Sequence, residues 1–179
     1  MMGQKACAVA GHDPKRFKFK YKEDYNLCKK IKREIREQIQ KFYDEEGVRR
    51  FYIGGSLGVD IWAGEMILRL KEQPGYEEIE LIMVLPYPEH GKNWDERSKK
   101  RLDFLQKHSA ACMTIGERNG WESYERRNRY LVDQADYLLA VYDDAADARL
   151  QITQMVEYAK KKGRKIMLIH PDTVDITER

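Results

Sequence analysis

Six short apolar runs alternate with five helical patterns along this chain, and that alternation restricts the fold more than any other feature. The runs fall at 5–10, 50–54, 79–85, 111–115, 135–142 and 165–170. Between the first two, Leu27, Ile31, Ile35, Ile39 and Phe42 recur at helical spacing in a charged background, and Gly47 follows as a C-terminal stop. Further helices are predicted over 59–70, 94–108, 121–134 and 150–162, with Pro74, Gly75 and Gly163 as breakers. Strands that alternate with helices imply βαβ units, a parallel sheet and right-handed crossovers. The run from Ile79 to Leu85 is apolar almost throughout, which suits a strand covered on both faces. The expected fold is therefore α/β: a single doubly wound Rossmann-like domain over 1–170, with a mostly parallel central sheet flanked by helices. Residues 171–179 read as a polar C-terminal tail that frays.

Length and composition agree with one domain: 179 residues, 42% hydrophobic and 35% charged. No apolar run approaches the length that spans a bilayer, so no membrane partner is expected. The apolar run near the start is too short for a signal-peptide core, and Cys7, Cys28 and Cys112 form no CxxC pair; a cytoplasmic location is expected. Cys7 and Cys112 fall in strand-like runs, where free cysteine behaves as a small buried hydrophobe. His12, His90, His108 and His170 have no ligand spacing, so no metal is expected. The net charge of +3 does not require a nucleic-acid partner. The stretch Lys15, Arg16, Phe17, Lys18, Phe19, Lys20 mixes bases with aromatics, as single-strand binders do, but reads best as an exposed loop. Oligomerisation suits so small a domain, although no residue demonstrates it.

In doubly wound folds ligands bind beyond the carboxyl ends of the strands. Directly after the second run, Gly54, Gly55, Ser56 and Gly58 lead into a helix that opens with Val59 and Asp60. Glycines there let backbone approach a ligand closely, and free N–H groups at a helix N-terminus attract phosphate. The same turn could need glycine for packing alone. Ser56 could donate to a phosphate or cap the helix. Asp60 would repel a phosphate, so it is either a cap-like residue or a contact to ribose. After the first run, Gly11 permits a turn, and His12 could donate to a phosphate, act as an acid or base, or cap the turn. Further along, Arg127 suits bidentate recognition of phosphate or carboxylate, and Asn128 could bond a base or ribose; a charged helix face is the plain alternative. No nucleophile–base set with motif spacing is present, so no catalytic residue is assigned.

Three segments together resemble the YpsA/YoqJ-like branch of the SLOG superfamily, Rossmann-like proteins related to the LOG and DprA families. They are Gly11, His12 and Pro14; the stretch Gly54 to Glu65; and the stretch Arg127 to Asp143. The resemblance covers the chain up to about Gly163. It implies binding of a nucleotide or nucleotide-derived small molecule, and a role as sensor or regulator. Gly54, Gly55, Ser56, Gly58 and Asp60 would line the pocket, with Gly11, His12, Arg127 and Asn128 around it. The alternatives are a nucleotide-processing hydrolase and a DNA-associated, DprA-like module. This sequence departs from the family pattern twice. Asp13 stands where the family has arginine in Gly-His-Arg-Pro, and Lys15 and Arg16 are the nearby cations that could compensate. Gln151 and Ile152 replace a Gly-Thr pair at the start of the last helix, with Thr153 as a partial substitute. The same count places Met155 where LOG-type phosphoribohydrolases carry a catalytic glutamate, which disfavours that chemistry. A pocket disabled by these changes, with function carried by surfaces, is a further alternative.

Overall fold

The computed structural model describes residues 4–145 and 147–179. Its elements follow the alternation: β1 (Lys5–Gly11), α1 (Asn26–Glu46), β2 (Val48–Ile53), α2 (Val59–Lys71), β3 (Glu80–Leu85), α3 (Glu96–His108), β4 (Ala111–Thr114), α4 (Trp121–Gln134), β5 (Tyr137–Val141), α5 (Gln151–Lys161), β6 (Lys165–Ile169) and β7 (Ile176–Glu178). They build one seven-stranded sheet in the order β4-β3-β2-β1-β5-β6-β7. All neighbouring strands are parallel except β6 and β7. This is the expected doubly wound α/β architecture.

Strand alternation divides the core between two faces. Cys7 and Val9 of β1, Leu81, Met83 and Leu85 of β3, and Leu139 and Val141 of β5 pack with α1, α2 and α3. Ala6, Ala8, Ala10, Ile82, Val84, Leu138 and Ala140 point the other way, onto α4 and α5. The apolar stripe of α1 is buried through Ile31, Ile35, Ile39 and Phe42. The helix ends where Gly47 adopts φ 73°, a left-handed cap that costs a residue without Cβ little. α3 starts two residues later than the periodicity suggests, because Asp95 caps it by accepting from the Ser98 N–H at 2.9 Å.

Three local readings change. The 171–179 segment carries β7, which pairs antiparallel to β6 through Met167–Glu178, Leu168–Thr177 and Ile169–Ile176. Its side chains are exposed, so no apolar pattern announced it; ladder hydrogen bonds hold it. Phe17 and Phe19 belong to no exposed loop. They stack on each other at 5.0 Å and pack on Trp62 of α2, almost wholly buried at 1% and 2% exposure. Cys7 is buried as expected, but Cys112 is exposed, since β4 is the sheet's outer strand.

Consecutive strands run outward from β1 through β2 and β3 to β4. The chain then returns to place β5 on the other side of β1. The crossovers diverge between β1 and β5, and a crevice opens there beyond the carboxyl ends of the strands.

Candidate functional site

A cleft of about 730 Å³ occupies this crevice. Of the residues singled out in the sequence, Gly11, His12, Ser56, Asp60, Arg127 and Asn128 line it; Gly54, Gly55 and Gly58 lie behind its surface. Protein atoms occupy the space that these glycines leave open. A Cβ on Gly54 would overlap the Arg127 guanidinium, and one on Gly11 would come within 2.8 Å of Val59 Cβ. Gly55, at φ +76°, sits against Leu85, and Gly58, at φ +91°, against Pro14. The exposed floor is therefore formed by Ser56 and Leu57 rather than bare glycine backbone.

Asp60 and Arg127 hold that turn from beneath. Asp60 Oδ2 accepts from the Ser56 N–H at 3.0 Å, which makes it a cap of the turn. Arg127 reaches across from α4. Its Nη1 donates to the Gly54 carbonyl, its Nη2 lies 3.5 Å from Ser56 Oγ, and its Nε donates to Asn128 Oδ1 at 2.8 Å. Both charges are buried. Burial pushes the Asp60 carboxyl up, with Arg127 and the N–H groups of Ser56 and Gly54 opposing. Burial pulls the Arg127 guanidinium down, with Asp60 opposing. Most of Arg127's donors are thus committed to the protein, and Asn128 presents its carbonyl oxygen to Arg127.

At the β1 end the cleft is ionic. His12 Nε2 lies 2.7 Å from Asp143 Oδ1, both buried, and the imidazole stacks on Tyr142. Arg16 bridges Asp143 at 3.2 Å and Asp172 at 3.0 Å, which ties the β6–β7 loop to the site. Burial pushes the Asp143 carboxyl up, but Arg16 and His12 outweigh it and leave it below the usual carboxylate range. Burial pulls His12 below its ordinary value against the pull of Asp143. A neutral imidazole beside an ionised carboxylate donates from Nε2. Asp13 caps a short 3-10 turn, Pro14–Arg16, by accepting from the Lys15 N–H at 2.9 Å.

The opposite end is aromatic, and the sequence reading missed it. His90, Trp94, Trp121 and Tyr124 line it. They come from the loop after β3 and the first turn of α4, so nothing in their spacing joins them. His90 Nε2 donates to the Gly55 carbonyl at 2.8 Å. Burial pulls the His90 pKa down to about 4, with Arg127 adding to the effect, so the ring is neutral at pH 7. Arg127 also stacks its guanidinium 5.5 Å from the Tyr124 ring. The one available signal was the density of aromatics after β3 and at the start of α4.

At the start of α5, Thr153 donates its hydroxyl to the Asp147 carbonyl at 2.8 Å, so it packs as a structural residue. Gln151, Ile152 and Met155 form part of the cleft wall. Among the described residues no helix is long and apolar enough to cross a membrane.

The YpsA family model, described as the YspA SLOG family, matches residues 7–174, and the chain belongs to this family. It is 28% identical over 181 residues to the UPF0398 protein of Bacillus thuringiensis (strain Al Hakam), a match that covers 97% of this chain and 95% of the relative. UPF0398 proteins of Bacillus cereus strains Q1 and 03BB102 match to the same extent. Among solved structures, DNA processing protein A from Streptococcus pneumoniae superposes with a TM-score of 0.61 at 16% identity, over 96% of this chain and 52% of that one. The Helicobacter pylori protein of the same name, described for its single-stranded DNA binding mode, gives 0.59 at 18% identity, over 92% and 65%. The chain thus spans between half and two thirds of the length of these two structures, and the likeness establishes the shared Rossmann-like fold.

Proposed function

We propose that the cleft binds a nucleotide or nucleotide-derived small molecule, and that the protein acts through it as a sensor or regulator. One observation carries this reading. A single cleft at the topological switch point joins cations, Lys15, Arg16 and Arg149, at one end to aromatic rings, Trp94, Trp121 and Tyr124, at the other. Phosphate calls for the first and a base for the second. Membership of a SLOG family agrees with it. With Gly54, Gly55 and Gly58 behind the surface, the phosphate would meet side chains and the floor at Ser56 and Leu57.

A thermal-shift titration with AMP, GMP, NAD and ADP-ribose tests the reading. A ligand bound only by the folded state raises Tm with dose, and saturation at a hundredfold excess over Kd corresponds to about 2.7 kcal/mol. The expected rise is lost in Leu57→Glu, which sets a carboxylate on the half-exposed floor and leaves the three glycines of the turn in place. No rise with any of the four would remove the nucleotide reading. A bound nucleotide that is returned chemically unchanged fits a sensor; its conversion would make the protein a nucleotide-processing hydrolase.

A second reading, single-stranded DNA across the mouth of the cleft, is favoured by the exposed indole of Trp121 at the cleft edge and the exposed Arg126 and Arg129 on the same helix. It predicts oligo(dT) binding that weakens steeply with salt. Mononucleotide binding without it would leave the first reading alone.

A further inference from the structure

The aromatic end of the cleft carries an unmet hydrogen-bonding valence that narrows the ligand. Among the described residues two buried side-chain polar atoms lack a partner, Trp62 Nε1 and His90 Nδ1. Trp62 packs in the core against Phe17 and Phe19 and does not line the cleft. His90 does line it, at 9% exposure.

The tautomer follows from the contacts. The partner of His90 Nε2 is the Gly55 carbonyl, which only accepts, so Nε2 holds the hydrogen. Nδ1 is then a bare acceptor. A buried acceptor without a donor costs about 1–3 kcal/mol, so this atom is a destabilised point in an otherwise satisfied wall. Around it stand ring edges: Trp94 at 5.0 Å, Tyr87 at 5.7 Å and Tyr124 at 6.3 Å, all near perpendicular. Trp94 and Tyr124 are only partly buried, so turning either aside to admit a planar group is inexpensive compared with moving the core. Trp121 extends the same wall outward.

Taking the nucleotide reading of the cleft as its basis, we infer that this end is a base-recognition subsite. It seats a purine among Trp94, Trp121 and Tyr124 and requires an N–H donor on its edge, which His90 Nδ1 accepts. A bicyclic base has the larger face for the two indoles. The phosphate would lie towards Lys15, which has no ion pair among the described residues; Arg16 is held by Asp143 and Asp172, Arg149 by Asp147, and Arg127 is bonded to the Gly54 carbonyl and Asn128. The subsite is thus selective by what it lacks: a ring that offers only acceptors leaves Nδ1 as unsatisfied as before.

Calorimetric titration of the full chain with AMP, GMP and purine riboside 5′-monophosphate decides this. The last has the same ring, sugar and phosphate but no N–H on the base. The tighter of AMP and GMP is expected to bind at least tenfold more strongly than the donorless analogue. Equal affinity of all three would overturn the inference and leave the nucleotide reading standing; no binding by any would also overturn the inference, and the nucleotide reading would fall only if NAD and ADP-ribose failed as well. His90→Phe, with its fold checked by circular dichroism, is expected to abolish the difference between the ligands. Should that variant not fold, Trp94→Leu serves: it is expected to weaken AMP or GMP binding at least fivefold, and unchanged affinity would place the ring elsewhere.

Discussion

The two ends of the cleft solve the burial of polar groups in opposite ways. At the β1 end His12, Asp143, Arg16 and Asp172 answer one another across short distances, so their polar groups have partners before any ligand arrives. At the aromatic end His90 spends one nitrogen on the Gly55 carbonyl and leaves the other unmatched. A self-satisfied ionic cluster is preorganised and resists change; a half-satisfied imidazole between aromatic rings gains most when something joins it. Arg127 stands between them, bonded to the Gly54 carbonyl and lying beside Tyr124.

The comparison breaks most severely at Arg127. Arg127→Met removes the partner of the Gly54 carbonyl and leaves the buried Asp60 without its countercharge. The expected loss of stability is about 3–5 kcal/mol by urea denaturation. Arg127→Met combined with Asp60→Asn should recover part of it, because the orphaned charge is gone. A loss below about 1 kcal/mol would mean that the turn is held by its backbone alone.

Acid is the next largest perturbation. His90 has an ordinary pKa of 6.5 and a folded value of about 4, so between those values the unfolded chain binds a proton that the folded one refuses. Stability from this group is complete above pH 6.5 and is lost as pH falls towards 4. The full difference is about 2.5 units, or about 3 kcal/mol at 1.36 kcal/mol per unit. His12 is depressed as well and acts in the same direction. The decisive measurement is therefore the stability of His90→Phe against pH: its slope between pH 6.5 and 4 should be clearly shallower than that of the unaltered protein. Asp143 is a depressed carboxyl, so its contribution is present above the usual carboxylate range and lost only at lower pH. Acidification below pH 6.5 therefore acts through both histidines, His90 at the aromatic end and His12 at the ionic end, before it reaches Asp143.

The smallest effect is expected within the ionic end. Asp143→Asn keeps a hydrogen-bond acceptor for His12 and leaves Arg16 its Asp172 partner. A loss of about 1–2 kcal/mol in urea denaturation is expected, smaller than that of Arg127→Met. It should also lower the His12 pKa further, readable by NMR titration, since the carboxylate is what holds that value up.

Much of this architecture was legible locally. The stripe on α1, its stop at Gly47, the bounds of α4 and the two-sided apolarity of β3 are written in periods of a few residues. So was the place of the cleft, because a doubly wound order opens one beyond the carboxyl ends of the strands, and six of the nine residues singled out in the sequence line it. What escaped depends on partners distant in the chain. Phe17 and Phe19 looked like a basic loop because Trp62, which buries them, is more than forty residues away. β7 has no buried face and exists through its ladder to β6. Cys112 sits in an apolar run yet is exposed, because only the strand order tells that β4 is an edge. For Gly54 and Gly55 the sequence left ligand approach and packing both open; only the tertiary structure shows Arg127 and Leu85 in the space beside them.

The amino-acid sequence alone determined the class of fold, the order of its elements and the end of the sheet at which the cleft opens, since hydrophobic periodicity and glycine turns act over a few residues. The tertiary structure decided which groups share the cleft. It brought His90 and Trp94 from the loop after β3 against Tyr124 of α4, and joined His12 to Asp143 across 131 residues of chain. Distance in space and the polar atoms that packing leaves unsatisfied arise only when the two faces of the sheet are covered, so no local pattern encodes them.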